Sequence, residues 1–196
     1  MQHGKKVSVL GLGKSGYAGA LFLKTQGFEV FASDQGDSES VRERVRILRQ
    51  KGIEAENGVH SAERILQSDW ILISPGISSQ TPLYRQIKAR RIPLISEIEA
   101  ASWYCPSQNI IGVTGTSGKT TVTTLLARLL QKSGKSVICC GNIGTPWIAE
   151  IPKINKDDFV VLELSSFQLQ NCETFHPKVG VLLNLSPNHQ DWHRDM

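Results

Sequence analysis

Short apolar runs alternate with amphipathic stretches along the chain, a rhythm that predicts βαβ units and a parallel sheet. Residues 5–10 read as a strand, 15–26 as a helix stopped by Gly27, and 29–32 as a second strand. Within 39–51, Val41, Val45 and Leu48 recur at i, i+4 and i+7. That spacing predicts a helix with a narrow apolar stripe and a basic outer face, stopped by Gly52. Residues 70–73 form a strand cut by Pro75-Gly76, Thr81-Pro82 starts a helix, 93–95 is the next strand and 97–104 a short helix. Segment 105–108 (Cys-Pro-Ser-Gln) is the expected linker, because proline ends a helix and a new strand follows. The alternation then restarts with a strand at 109–114, a helix at 120–132 stopped by Ser133-Gly134, a strand at 136–140, and apolar runs at 159–164 and 178–185. The expected organisation is α/β throughout, with one domain at 1–105 and a second at 109–196.

Composition narrows the function classes. Hydrophobic residues make up 40% and charged residues 20%, enough for a globular core. Lys and Arg number 22 against 18 Asp and Glu, a net +4 spread along the chain, which argues against a nucleic-acid partner. No apolar run approaches the ~18 residues of a membrane span, and the polar start is no signal peptide, so a cytoplasmic protein with no membrane partner is expected. Cys105, Cys139, Cys140 and Cys172 form no CxxC pair or metal-ligand spacing and read as reduced thiols. The four tryptophans (70, 103, 147 and 192) read as packing residues.

Four stretches carry chemistry. Gly11-Leu-Gly13-Lys14-Ser15-Gly16 lies between the first strand and the first helix, where glycines permit a tight turn and a diphosphate can rest on helix-terminal N–H groups. Asp34 ends the second strand, where an acidic residue can read a ribose or base. Gly115-Thr116-Ser117-Gly118-Lys119-Thr120-Thr121 also joins a strand to a helix. Its N–H groups suit phosphate oxygens, its lysine the β/γ charge, and Thr120 a Mg²⁺ ion, which points to ATP. The longer GxxxxGK[ST] spacing is not met, since Val113 takes the first glycine position. Glu163 sits in the apolar run Phe-Val-Val-Leu-Glu-Leu, where a carboxylate needs a partner or a cation, and the Mg²⁺ of Thr120 would serve. Last, Asn184 with His189, Asp191 and His193 follows a buried strand as a second cation or phosphate site, while Asn142 reads as a ligand or a turn asparagine. The chain stops after that cluster with no helix following, which is read as a truncated sheet.

Together, Gly-Val-Thr-Gly-Thr-Ser-Gly-Lys-Thr-Thr, Gly-Asn-Ile-Gly, Leu-Glu-Leu-Ser-Ser-Phe-Gln-Leu and Leu-Asn-Leu-Ser-Pro-Asn-His-Gln-Asp resemble the Mur ligases of peptidoglycan synthesis, above all the D-glutamate-adding branch. The resemblance implies a Rossmann-like N-terminal domain with a parallel sheet, followed by part of a P-loop ATPase α/β domain, with a third, amino-acid-receiving domain absent. It implies UDP-N-acetylmuramoyl-L-alanine and D-glutamate as substrates, ATP and Mg²⁺ as cofactors, and a monomer. Lys14, Ser15 and Gly16 would face the diphosphate and Asp34 with Gln35 the uracil. Ser74, Pro75 and Gly76 match a family loop of the first domain, and Asn142, Ser165, Ser166 and Gln168 would lie along the muramoyl-alanine end. Lys119 would bind ATP phosphates, Thr120 and Glu163 one Mg²⁺, and His189 a second; Lys119, Glu163 and His189 would be the catalytic set. Gln35, Asn188 and Trp192 depart from the family's usual residues, and its carbamylated lysine would fall beyond residue 196.

The implied reaction is an ATP-dependent carboxylate–amine ligation through an acyl phosphate, and the 196 residues alone are expected to bind without turnover. Two alternatives stand: another Mur-type ligase, or an NAD-sensing domain fused to an ATPase. Against the second, no hydride-transfer partner is visible in the sequence.

Overall fold

β1 (Lys6–Leu10), β2 (Glu29–Asp34), β3 (Glu54–Asn57), β4 (Trp70–Ile73) and β5 (Leu94–Ile95) pair in the order β3-β2-β1-β4-β5, every neighbour parallel. These come from a computed structural model that describes residues 5–77 and 80–186. β1 and β4 are apolar and buried because helices cover both faces of the sheet, as parallel sheets require. The strand order reverses between β1 and β4, and that switch opens a crevice at the C-terminal strand ends.

α1 (Lys14–Thr25), α2 (Glu39–Gln50), α3 (Ala62–Ile65) and α4 (Pro82–Ala89) connect these strands, and α5 (Glu97–Ser102) follows β5. Their starts follow local chemistry. Ser38 Oγ accepts the Val41 N–H at 3.4 Å, Thr81 Oγ1 that of Tyr84 at 3.2 Å ahead of Pro82, and Ser96 Oγ that of Glu99 at 3.1 Å.

The second sheet contains β6 (Ile110–Thr114), β7 (Val137–Gly141), β8 (Phe159–Glu163) and β9 (Val179–Leu182) in the order β7-β8-β6-β9, again all parallel. α6 (Lys119–Lys132), α7 (Trp147–Glu150) and α8 (Ser166–Leu169) lie between its strands. The α/β class and parallel sheets expected from the sequence are present. β3, α3, α7 and α8 were not expected. Each has only four residues, too few to show a period, and β3 (Glu-Ala-Glu-Asn) is a charged strand that buries only Ala55. On α6 the buried residues are Thr123 and Ala127, whereas Leu125 and Leu129 are each 54% exposed.

One apolar cluster runs through both sheets, joining Val7, Leu23, Trp70 and Ile98 to Trp147, Ile148, Val160 and Leu162. Its seam is polar, and α5 builds it. Glu99 accepts the backbone N–H groups of Glu173 (3.0 Å), Thr174 (3.1 Å) and Phe175 (2.9 Å), and the Trp103 indole N–H at 3.1 Å. The Thr174 hydroxyl, which also donates to Glu99, and the three backbone N–H groups outweigh burial and hold the Glu99 carboxyl below its usual range. Ser96 N–H donates to Asn171 O at 3.0 Å, and Ser107 Oγ donates to Asp158 O at 2.6 Å. The cysteines are free, and Cys139 is exposed while its neighbour Cys140 is buried, as alternation along β7 dictates.

Candidate functional site

The first glycine-rich turn is shaped from both sides. Gly11 has φ +83° and donates its N–H to Ser33 O at 2.9 Å, and Ser74 Oγ donates to Gly11 O at 2.8 Å. Leu12 N–H donates to Asp34 Oδ2 at 2.5 Å, Gly36 N–H to Asp34 Oδ1 at 2.7 Å, and Arg44 Nη1 to Leu12 O at 2.5 Å. The Asp34 carboxylate thus braces the turn and also lines the crevice beside it. Behind it, Ser33 Oγ lies 2.7 Å from both Glu56 Oε1 and His60 Nδ1, and burial pushes the His60 imidazole below its usual range.

The crevice is a cleft of about 480 Å³ whose walls come from both units. Gly13, Lys14, Ser15, Asp34, Ser74, Pro75 and Gly76 supply one wall, and Asn142, Ser165, Phe167 and Gln168 the other. Phe167 lines the cleft as well, a position that no sequence signal marks apart from those of its neighbours Ser165, Ser166 and Gln168. Three expected residues do not line the cleft: Gly16 is buried under the turn, and Gln35 and Ser166 are exposed outside it. α8 orients its wall through a capping box. Gln168 N–H donates to Ser165 Oγ at 3.3 Å, and Ser165 N–H to Gln168 Oε1 at 3.0 Å. A groove of about 570 Å³ along α2 lies apart from both loops, and its Arg42 and Arg46 are paired with Asp37 and Glu43.

The second loop joins β6 to α6. Gly118 has φ +82° as the N-cap, and the helix's backbone ladder begins with Val122 N–H to Gly118 O at 3.0 Å. The N–H groups of Lys119, Thr120 and Thr121 therefore have no acceptor within the helix, the arrangement that suits a phosphate. Lys119 Nζ donates to Gly115 O at 2.7 Å and Thr116 O at 3.1 Å, folding over the loop.

Glu163 ends β8, in register with Val113 of β6 and Gly141 of β7, so it stands beside the loops that follow both strands. It is 3% exposed, and both carboxylate oxygens are engaged: Thr120 Oγ1 donates to Oε2 and Asn142 Nδ2 to Oε1, each at 2.7 Å. Gly141 has φ +107°, and a Cβ there would stand 2.4 Å from Glu163 O, so only glycine lets β7 turn this close. No group of three or more His, Cys, Asp or Glu that could hold a metal exists among the described residues. The donor set is one hydroxyl and one carboxylate beside the glycine-rich turn that opens α6. It fits Mg²⁺, which completes its shell from nucleotide phosphates and water. His189, with Asp191 and His193, lies outside the described residues. Asn184 is spent differently from expectation: its side chain bonds Ser117 of the second glycine-rich loop rather than standing open as a cation ligand.

Two family models match this chain, "Mur ligase MurD-like, N-terminal domain" over residues 5–96 and "Mur ligase middle domain" over 113–196. A UDP-N-acetylmuramoylalanine--D-glutamate ligase of Koribacter versatilis is 43% identical over 190 residues, which cover 97% of this chain and 42% of the relative. The protein of that name from Chlorobaculum tepidum is 44% identical over 192 residues, 96% and 40% of the two chains. The chain thus spans about two fifths of the length of these relatives. Among solved structures, the UDP-N-acetylmuramate:L-alanyl-gamma-D-glutamyl-meso-diaminopimelate ligase of Neisseria meningitides superposes with a TM-score of 0.58 at 23% identity, over 97% of this chain and 64% of that one. A murein peptide ligase of Psychrobacter arcticus gives 0.54 at 21%, over 96% and 44%. At these identities the two structures speak to the fold.

Proposed function

Because the chain belongs to the Mur ligase family, we propose that it carries the UDP-sugar and ATP sites of a ligase that joins D-glutamate to UDP-N-acetylmuramoyl-L-alanine. The observation that carries this reading is the position of Glu163. Its carboxylate bridges Asn142, which lines the cleft, to Thr120, which opens the phosphate-loop helix. An acyl end lying in the cleft would therefore meet the γ-phosphate end of a nucleotide at one shared carboxylate.

In the proposed reaction the alanine carboxylate attacks the γ-phosphorus of ATP, ADP leaves, and an acyl phosphate forms. The D-glutamate amine then attacks the carbonyl carbon, phosphate leaves, and the amine's proton passes to solvent. The chain's own contribution is positioning and charge. The first-turn N–H groups of α6 and the Lys119 ammonium face the phosphates, Lys14 and Ser15 stand at the diphosphate turn, and Asn142 holds Glu163 in place. Thr120 and Glu163 would hold Mg²⁺, which when bound neutralises charge on the phosphate oxygens. No described helix is long and apolar enough to cross a membrane. A cytoplasmic monomer acting on these small molecules belongs to the same proposal.

Calorimetric titration tests it. UDP-N-acetylmuramoyl-L-alanine is expected to bind saturably and NADH not at all. Mg·ATP should bind at least ~10-fold more weakly to Lys119→Ala, since a charge-assisted contact is worth roughly 1.5–3 kcal/mol. Binding of NADH in place of the UDP-sugar would overturn the ligase reading of the first unit.

A further inference from the structure

Asn184 follows β9 and has no part in the reaction proposed above, yet it makes three hydrogen bonds to the phosphate loop. Thr116 N–H donates to its carbonyl at 3.1 Å, Ser117 N–H donates to its Oδ1 at 3.0 Å, and its Nδ2 donates to Ser117 O at 3.1 Å. Two residues on, Ser186 N–H donates to Thr116 Oγ1 at 3.0 Å. Gly115 permits this closeness. Its φ is +141°, and a Cβ there would lie 3.1 Å from Leu183 Cβ and 3.2 Å from both Asn184 N and Asn184 O.

The chemistry of the contact is particular to a carboxamide. A side-chain amide presents one acceptor and one donor side by side, so it pairs with both backbone groups of a single residue much as a neighbouring strand would. Aspartate offers only acceptors and would face the Ser117 carbonyl with a like partial charge. The contact also sorts the loop's donors. The N–H groups of Thr116 and Ser117 are committed to Asn184, while those of Lys119, Thr120 and Thr121 are left at the start of α6. The carbonyls of Gly115 and Thr116, which anchor the Lys119 ammonium, lie in the same pinned stretch.

We propose that Asn184 is a positioning residue of the phosphate loop. It fixes Thr116 and Ser117 against β9 so that Lys119 and the first turn of α6 are presented to the phosphates of a nucleoside triphosphate. This role rests on the ATP reading given above. Asn184 acts through the loop, so its loss should weaken nucleotide binding and leave the UDP-sugar cleft, which it does not line, unaffected.

The test uses this chain with Asn184→Asp, close in shape, and Asn184→Ala. Without nucleotide, hydrogen exchange at the Ser117 amide, followed by NMR, should quicken at least tenfold in Asn184→Ala. In titrations, both variants should bind Mg·ATP about tenfold more weakly while binding UDP-N-acetylmuramoyl-L-alanine within twofold of the unmodified chain. A general loss of structure would weaken both ligands together, and that result would reduce Asn184 to a stability residue and overturn the proposal. So would unchanged Ser117 exchange, or unchanged ATP affinity where the unmodified chain binds ATP. If the unmodified chain itself fails to bind Mg·ATP, the ATP reading falls and the positioning role falls with it.

Discussion

Gly16→Ala is expected to destabilise the fold by about 3 kcal/mol, the upper part of the range for forced overpacking. A Cβ at Gly16 would stand 1.8 Å from Gly11 O and 2.7 Å from Ser74 Oγ. Neither neighbour can yield. Gly11 is held at φ +83° by its bond to Ser33 O, and Ser74 Oγ is bonded to the same Gly11 carbonyl. Relief would require α1 to lift away from β1, which would carry Lys14 and Ser15 out of the cleft wall. Gly13→Ala is the matched control. Its φ of −61° suits any residue and nothing lies within 4 Å of the added carbon, so its stability should change by no more than about 0.5 kcal/mol. Urea unfolding of the three proteins decides the matter, and equal midpoints for Gly16→Ala and the unmodified chain would refute the close-packing account.

Gly16 also shows how much could be read before the fold was known. The strand–glycine turn–helix pattern placed it at a nucleotide turn, but its buried position under Gly11 and Ser74 depends on β4 returning beside β1, which no local spacing records. The two glycine-rich loops were legible as strand-to-helix turns because glycine there serves backbone geometry at short range. Glu163 was legible as a carboxylate in an apolar strand, and the partners that settle its burial are the hydroxyl of Thr120 and the amide of Asn142. In sequence, Asn184 groups with the histidines that follow it. Its bonds instead run to Ser117, 67 residues away, because β9 lies beside β6 in the sheet. The least legible residues were Glu97 and Glu99. In sequence they look like the solvated acidic first turn of a short helix. Only the docking of α7 and of residues 173–175 against α5 turns them into the polar seam between the two units.

Glu97 supplies the second large effect, a stability that falls as pH rises. It is 2% exposed; its Oε1 accepts the Ile148 N–H at 2.6 Å, and its Oε2 has no hydrogen-bond partner among the described residues. Burial pushes its pKa up from 4.5 to about 7, against the pull of the Ile148 N–H. Between those values the folded chain keeps a proton that the unfolded chain has released. Stability is therefore highest below about pH 4.5 as far as this group is concerned, declines toward pH 7, and stays at its floor above that. The span of the shift corresponds to about 3 kcal/mol. Glu97→Gln keeps an acceptor for Ile148 and removes the titration. It should match the unmodified chain near pH 4.5 and exceed it by up to about 3 kcal/mol at pH 8. The neighbouring Cys140 thiol does not confuse the comparison, since burial, followed by the negative charges of Glu97 and Glu150, pushes it above this range. Glu56 and Glu99 have lowered values and lose their contribution as pH falls, but they do so equally in both proteins and cancel in the difference. Urea midpoints for the pair at pH 5, 6, 7 and 8 should therefore diverge with rising pH. Parallel curves would mean that Glu97 is ionised in the folded chain at neutral pH, and that the seam between the two sheets reaches water.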